Sequence, residues 1–120
     1  MAWNFNNREA VYLQIANRMR GEILGGKYKP DEQIPPVRIL AFEASVNPNT
    51  MQKALVVLED EKLLYSVGTT GRFVTPDGDV LETAKKKMKK TTIKELAEKA
   101  KEAGIEIQEL IDYIKEADNK

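Results

Sequence analysis

Apolar residues recur at helical spacing three times in the first half of the chain. Tyr12, Ile15, Ala16, Met19 and Ile23 mark one face of a helix starting near Val11, and Gly25-Gly26 stops it. Val37, Leu40 and Ala41 predict a short second helix from about Pro36 to Ala44, and Ser45-Val46 turns the chain into a third. That third helix runs from about Pro48 to Glu61, with Met51, Ala54, Leu55 and Leu58 inward. The pattern then changes. Leu63–Val67 and Arg72–Pro76 are β-prone runs around Gly68-Thr69-Thr70-Gly71, which reads as a hairpin. Three helices followed by a hairpin predict a winged helix-turn-helix over residues 1–76.

Residues 77–120 predict a helical tail, so the whole chain is mostly α (α+β). Val80, Leu81, Ala84 and Met88 form one apolar stripe. Thr92 and Glu95 have capping-box spacing and predict a fresh helix start, with Ile93, Leu96, Ala97 and Ala100 on its inner face. Gly104 ends that segment, and Ile107, Leu110, Ile111 and Ile114 line a final helix. Such stripes are too apolar for a lone surface appendage. They imply packing against a second copy or folding back onto the first three helices. The first is favoured, because helix-turn-helix modules pair to span two half-sites. Leu81, Met88, Ile93, Leu96, Ile107, Leu110, Ile111 and Ile114 are therefore the candidate dimerisation residues.

Composition narrows the chemistry. The 120 residues contain no cysteine and no histidine. Disulfides, thiolate nucleophiles and the commonest general base and metal ligand are thus excluded. Carboxylate groups such as Glu59-Asp60-Glu61, or Asp112 with Glu116, have no phosphate loop beside them, so neither an enzyme nor a metal site or cofactor is expected. No run approaches the ~18 apolar residues of a membrane span, and there is no signal-peptide pattern, so a soluble, cytoplasmic protein is expected. The net charge is zero: nine Lys or Arg against eight Asp or Glu in residues 1–76, and ten against eleven in 77–120. Any attraction to nucleic acid must therefore come from placement rather than from total charge.

The candidate chemistry gathers at the start of the third helix. Asn47 suits an N-cap and Pro48 the first helical position. Asn49, Gln52 and Lys53 then share an outer face, three to four residues apart. Asn and Gln each can make two hydrogen bonds to an adenine edge in the major groove. Arg38, on the outer side of the second helix, suits a phosphate or a guanine, and Arg72 beside the hairpin turn suits a wing contact to the minor groove or backbone. The Lys85–Lys90 run reads first as a solvated helix face.

In these pieces the chain resembles GntR-family transcriptional regulators. The resemblance is carried by Tyr12-Leu13-Gln14-Ile15-Ala16, Gly25–Asp31, Ile34–Ala41, Val46–Ala54, Leu58-Glu59 and Gly71-Arg72-Phe73-Val74, in family order over about residues 10–76. Asn-Pro-Asn-Thr followed by a short helical tail is similar to the YtrA-like branch. The resemblance implies a homodimeric DNA-binding regulator, usually a repressor, on a roughly palindromic double-stranded operator. It implies DNA contacts at Arg38, Asn47, Pro48, Asn49, Thr50, Gln52, Lys53, Gly71 and Arg72. It names no small-molecule effector. The chain departs from the family pattern where Pro36 replaces a capping Ser, Ser45 and Lys62 replace Gly, and the wing reads Gly-Thr-Thr-Gly. A winged-helix protein-interaction module without sequence-specific DNA binding is the alternative reading.

Overall fold

A computed structural model describes residues 3–119. The element order is α1 (Val11–Leu24), α2 (Val37–Ala44), α3 (Pro48–Asp60), β1 (Leu64–Val67), β2 (Gly71–Val74), α4 (Gly78–Glu102) and α5 (Ile107–Asp118). The chain forms two compact units, divided after Ala84 within α4.

In the first unit, α3 packs against α1, α2 and β1. The inward positions read from the periodicity are the ones buried: Ile15, Ala16, Met19 and Ile23 on α1, Leu40 and Ala41 on α2, Met51, Ala54, Leu55 and Leu58 on α3. Tyr12 and Val37 are only half-buried. Leu63, Leu64 and Val74 close this core from the hairpin side. β1 and β2 pair antiparallel, with Leu64 opposite Val74 and Val67 opposite Gly71. The outer edge of β2 is not left open. Asp31 N–H donates to the Val74 carbonyl, Val74 N–H to Glu32, and Ile34 N–H to Arg72, all within 2.8–3.0 Å. The connector after α1 thus works as a third, irregular strand that covers an edge able to pair with another chain. Arg20 ties α1 to the end of α3 through a two-pronged pair with Glu61, at 2.7 and 2.6 Å.

Pro36 caps α2 with no side-chain hydrogen bond, as expected from the loss of a Ser at that position. Ser45 and Lys62 both adopt left-handed backbone, with φ of 57° and 67°.

In the second unit the separate helix expected to open at Thr92 does not exist. α4 is continuous from Gly78 to Glu102. The Thr92 hydroxyl donates back to the Met88 carbonyl at 2.8 Å instead of accepting from the backbone three residues on. The physical reason is that no Gly or Pro lies between Gly78 and Gly104, and the Lys, Ala, Glu and Leu around Thr91-Thr92 are strong helix formers that carry the helix through. The capping box lies one helix later, between Glu106 and Glu109. Ala100 is buried, whereas Ile93, Leu96, Ile107, Ile111, Tyr113 and Ile114 are exposed. Among the described residues, no helix is long and apolar enough to cross a membrane.

Candidate nucleic-acid interface

The start of α3 is built as its residue types dictate. Asn47 is the N-cap, in extended backbone, and its side-chain oxygen accepts from the Asn49 N–H at 2.8 Å. Its carbonyl accepts from Thr50 and Met51. Pro48 sits at the first helical position, where a missing N–H costs nothing. Asn47, Pro48, Asn49 and Gln52 are exposed and Thr50 is half-buried. Met51, Ala54, Leu55 and Leu58 anchor the opposite face in the core. The tip therefore projects from a rigid element. No acidic residue lies in the first turn of α3, so the positive end of the helix dipole stays uncompensated and suits an anion such as a phosphate.

Arg38 on α2 is exposed, and among the described residues it joins no ion pair. Phe42, one turn later on the same face, is 84% exposed. Nothing in the periodicity singled out that ring, although an apolar residue four positions after Arg38 is the trace it leaves. Lys53 is exposed, and its Nζ lies 4.6 Å from the centre of the Tyr12 ring, a cation–π contact that steadies it against α1.

The wing is less open than its sequence suggests. Arg72 is not a free tip cation. Its Nε donates to Glu59 Oε1 at 2.5 Å, and the two side chains are 14% and 26% exposed. One terminal nitrogen donates to Gln52 Oε1 at 3.2 Å. The Ser66 hydroxyl donates to the other Glu59 oxygen at 3.0 Å. α3 and β2 are thereby joined by side chains just behind the exposed tip. Glu59 was not anticipated as a functional residue. Its signal is spacing: seven residues after Gln52, it lies on the same helix face two turns on.

The turn itself is held by Gln33, whose side-chain nitrogen donates to the Thr70 carbonyl at 2.8 Å. Gly71 has φ of +139°, and a Cβ there would come within 2.7 Å of the Gln33 nitrogen. The backbone angle is what requires glycine at Gly71, since the Gln33 amide ends a flexible side chain that could move aside. Tyr65 stacks on Phe73 with ring centres 5.6 Å apart and donates to Asp31, which braces the outer face of the hairpin. That carboxylate holds the Tyr65 phenol above its ordinary range.

This geometry has known counterparts. The family described as bacterial regulatory proteins, gntR family, matches residues 11–74, from α1 to the end of the hairpin. The HTH-type transcriptional repressor YtrA of Bacillus subtilis (strain 168) is 35% identical over 107 residues, spanning 88% of this chain and 82% of YtrA. A GntR family transcriptional regulator from Listeria monocytogenes has a similar structure, with a TM-score of 0.81 and 28% identity over 93% of this chain and 98% of that one. The structure of AraR(DBD) in complex with operator ORX1 is similar over 60% of this chain and 93% of its own, with a TM-score of 0.54 and 31% identity. With a family match over more than half its length and a likeness to YtrA running into its tail, this chain belongs to the GntR family, as a YtrA-like transcriptional regulator and not an enzyme.

Proposed function

We propose that the protein is a homodimeric, cytoplasmic, sequence-specific repressor that binds a roughly palindromic DNA operator, with residues 1–76 reading DNA and 77–120 pairing two copies. One observation carries the first half of this reading. The Asn47–Lys53 tip is held rigidly, turned to solvent, capped by its own amide and free of acidic neighbours in its first turn. Asn47, Pro48, Asn49, Thr50, Gln52 and Lys53 would meet the major groove. Arg38 would meet phosphate, and the turn around Gly71 and Arg72 would approach the flanking backbone. The operator-bound AraR domain supports this by likeness.

The pairing half rests on the apolar residues that a single chain leaves exposed: Ile93, Leu96, Ile107, Ile111 and Ile114. Leu81, Met88 and Leu110, each half-buried, belong to the same proposed set. A soluble protomer rarely leaves so many large apolar side chains on one short segment without covering them.

Binding-site selection from random duplexes, with the mass of the complex measured in parallel, tests both halves. The expected result is a sequence with two related half-sites about one helical turn apart, bound by two protomers. Ile111→Asp should yield monomers that lose cooperative binding to the paired half-sites. A monomeric wild type that binds no duplex even at low salt would overturn the reading and leave a winged-helix module for protein contacts.

A further inference from the structure

The geometry points to Arg72 and Glu59 as positioning residues that decide which base edge Gln52 can read. This rests on the DNA-reading role proposed above and goes beyond it, because it changes the expected base. Gln52 lies on the exposed face of α3, within the reading tip. An unconstrained glutamine amide turns freely and can present oxygen and nitrogen together, the pattern that matches adenine. Here the amide is not free. A guanidinium has only donors, so the atom it faces must be the amide oxygen. That settles which end of Gln52 points where: Oε1 accepts from Arg72 at 3.2 Å, and Nε2 is directed away with two N–H donors.

Arg72 cannot easily turn aside to release the oxygen. Its Nε is held by Glu59 at 2.5 Å, and Glu59 is itself held by Ser66 at 3.0 Å. Both charged side chains are largely out of solvent, where a charge-assisted pair is strong and its rupture costly. Glu59 sits on the same helix as Gln52, so the helix sets the spacing between the two ends of the clamp. The chain of contacts Ser66–Glu59–Arg72–Gln52 occupies one of the two lone pairs of Oε1 and leaves both Nε2 donors free, so Gln52 is presented first as a donor. Its match in the major groove is an acceptor, and guanine, with O6 and N7 side by side, offers two where thymine O4 and adenine N7 each offer one. A two-bond match to adenine would have to place its N6 amino group on the remaining lone pair of Oε1, beside the Arg72 guanidinium, where two donors crowd one oxygen.

The test uses the full chain in two measurements. In DNA-free protein, the Arg72 Nε–H should give a slowly exchanging NMR signal that is lost in Glu59→Gln. In binding-site selection, Gln52→Ala identifies the base position that depends on Gln52. Wild type should hold guanine there. Arg72→Ala should shift that one position towards adenine by about fivefold or more, the lower end of what one two-bond contact discriminates. Glu59→Gln should shift it in the same direction by less. The other positions should not change, which a general loss of folding would not reproduce. Adenine at that position in wild type, or an unchanged preference in Arg72→Ala, overturns the inference while leaving DNA reading intact. Absence of any selected sequence for wild type overturns the DNA reading itself, and the inference with it. A fast-exchanging Arg72 signal in wild type overturns the clamp without reference to DNA.

Discussion

Lys62→Gly should stabilise the protein, and the structure supplies both the reason and its internal control. Four helices here end in the same way. The N–H of the left-handed residue bonds three residues back, and the next N–H bonds five residues back, the two bonds of a Schellman ending. After α1 these are Gly26 to Ile23 and Lys27 to Glu22; after α4 they are Gly104 to Lys101 and Ile105 to Ala100. After α2 they are Ser45 to Phe42 and Val46 to Ala41; after α3 they are Lys62 to Glu59 and Leu63 to Leu58. Glycine fills the left-handed position twice, and Ser45 and Lys62 fill it otherwise. Left-handed backbone costs a residue with a Cβ about 1–2 kcal/mol. Glycine avoids that cost but loses about 0.4–1 kcal/mol through the greater freedom of its unfolded chain. The net gain is about 0.5–1 kcal/mol, or a rise of roughly 2–4 °C in melting temperature for a chain of this size. The Lys62 side chain is exposed and joins no hydrogen bond or ion pair among the described residues, so nothing else is lost with it. Urea denaturation followed by circular dichroism, at one fixed protein concentration, should show a higher midpoint with an unchanged slope. Lys62→Ala keeps the backbone cost and should show no gain. A Lys62→Gly protein no more stable than wild type, or a Lys62→Ala protein stabilised as much, would refute the reasoning.

Asn47→Ala removes the acceptor for the Asn49 N–H. It should lower stability by about 1 kcal/mol in the same urea assay, while Asn47→Asp should restore most of it. Gly71→Ala places a Cβ at φ +139° and against Gln33; a loss of about 1–3 kcal/mol is expected, with line broadening confined to the hairpin in NMR spectra. Tyr28 is buried, and burial raises its phenol above the ordinary value of 10.0. The unfolded chain then ionises first, so this contribution is intact below pH 10 and is lost as pH rises through the higher folded value. Tyr28→Phe should match wild type near neutrality and lose less stability in melts between pH 10 and 12; identical alkaline losses would remove Tyr28 as the cause.

What could be read along the chain was what local chemistry decides. Pro48 after Asn47, Gly26 after α1 and the apolar spacing of Met51, Ala54, Leu55 and Leu58 each act within a few residues, and the helices of the first unit follow them. The Thr92–Glu95 pair misled for the converse reason. A capping box works only where the preceding backbone leaves the helix, and nothing between Lys85 and Thr92 makes it leave. The Arg72–Glu59 pair and the Lys53–Tyr12 contact join residues 13 and 41 positions apart in sequence. Their partners depend on how α3 meets β2 and α1, which no local pattern encodes. Arg72 therefore read as a free wing cation, and Glu59 as one acid among three.

This pairing bears on how strongly salt should weaken DNA binding. Each phosphate neutralised contributes a slope of about −0.9 in log K against log salt. Of the first unit's cations, Arg72 is balanced by Glu59 and Arg20 by Glu61, while Arg18 and Lys27 share Glu22, which neutralises one charge of the two. Around the reading tip that leaves Arg38 and Lys53, the second held near Tyr12 with its charge unneutralised. Two such cations per protomer give about four per dimer, and a slope of about −3.6. Arg38→Ala should flatten it by about 2, one unit for each copy, and Arg72→Ala by far less. The five lysines of 85–90 set the contrary case. A slope steeper than about −7 would mean that this run reaches phosphate as well, and Lys86→Ala with Lys90→Ala should then recover the shallow value.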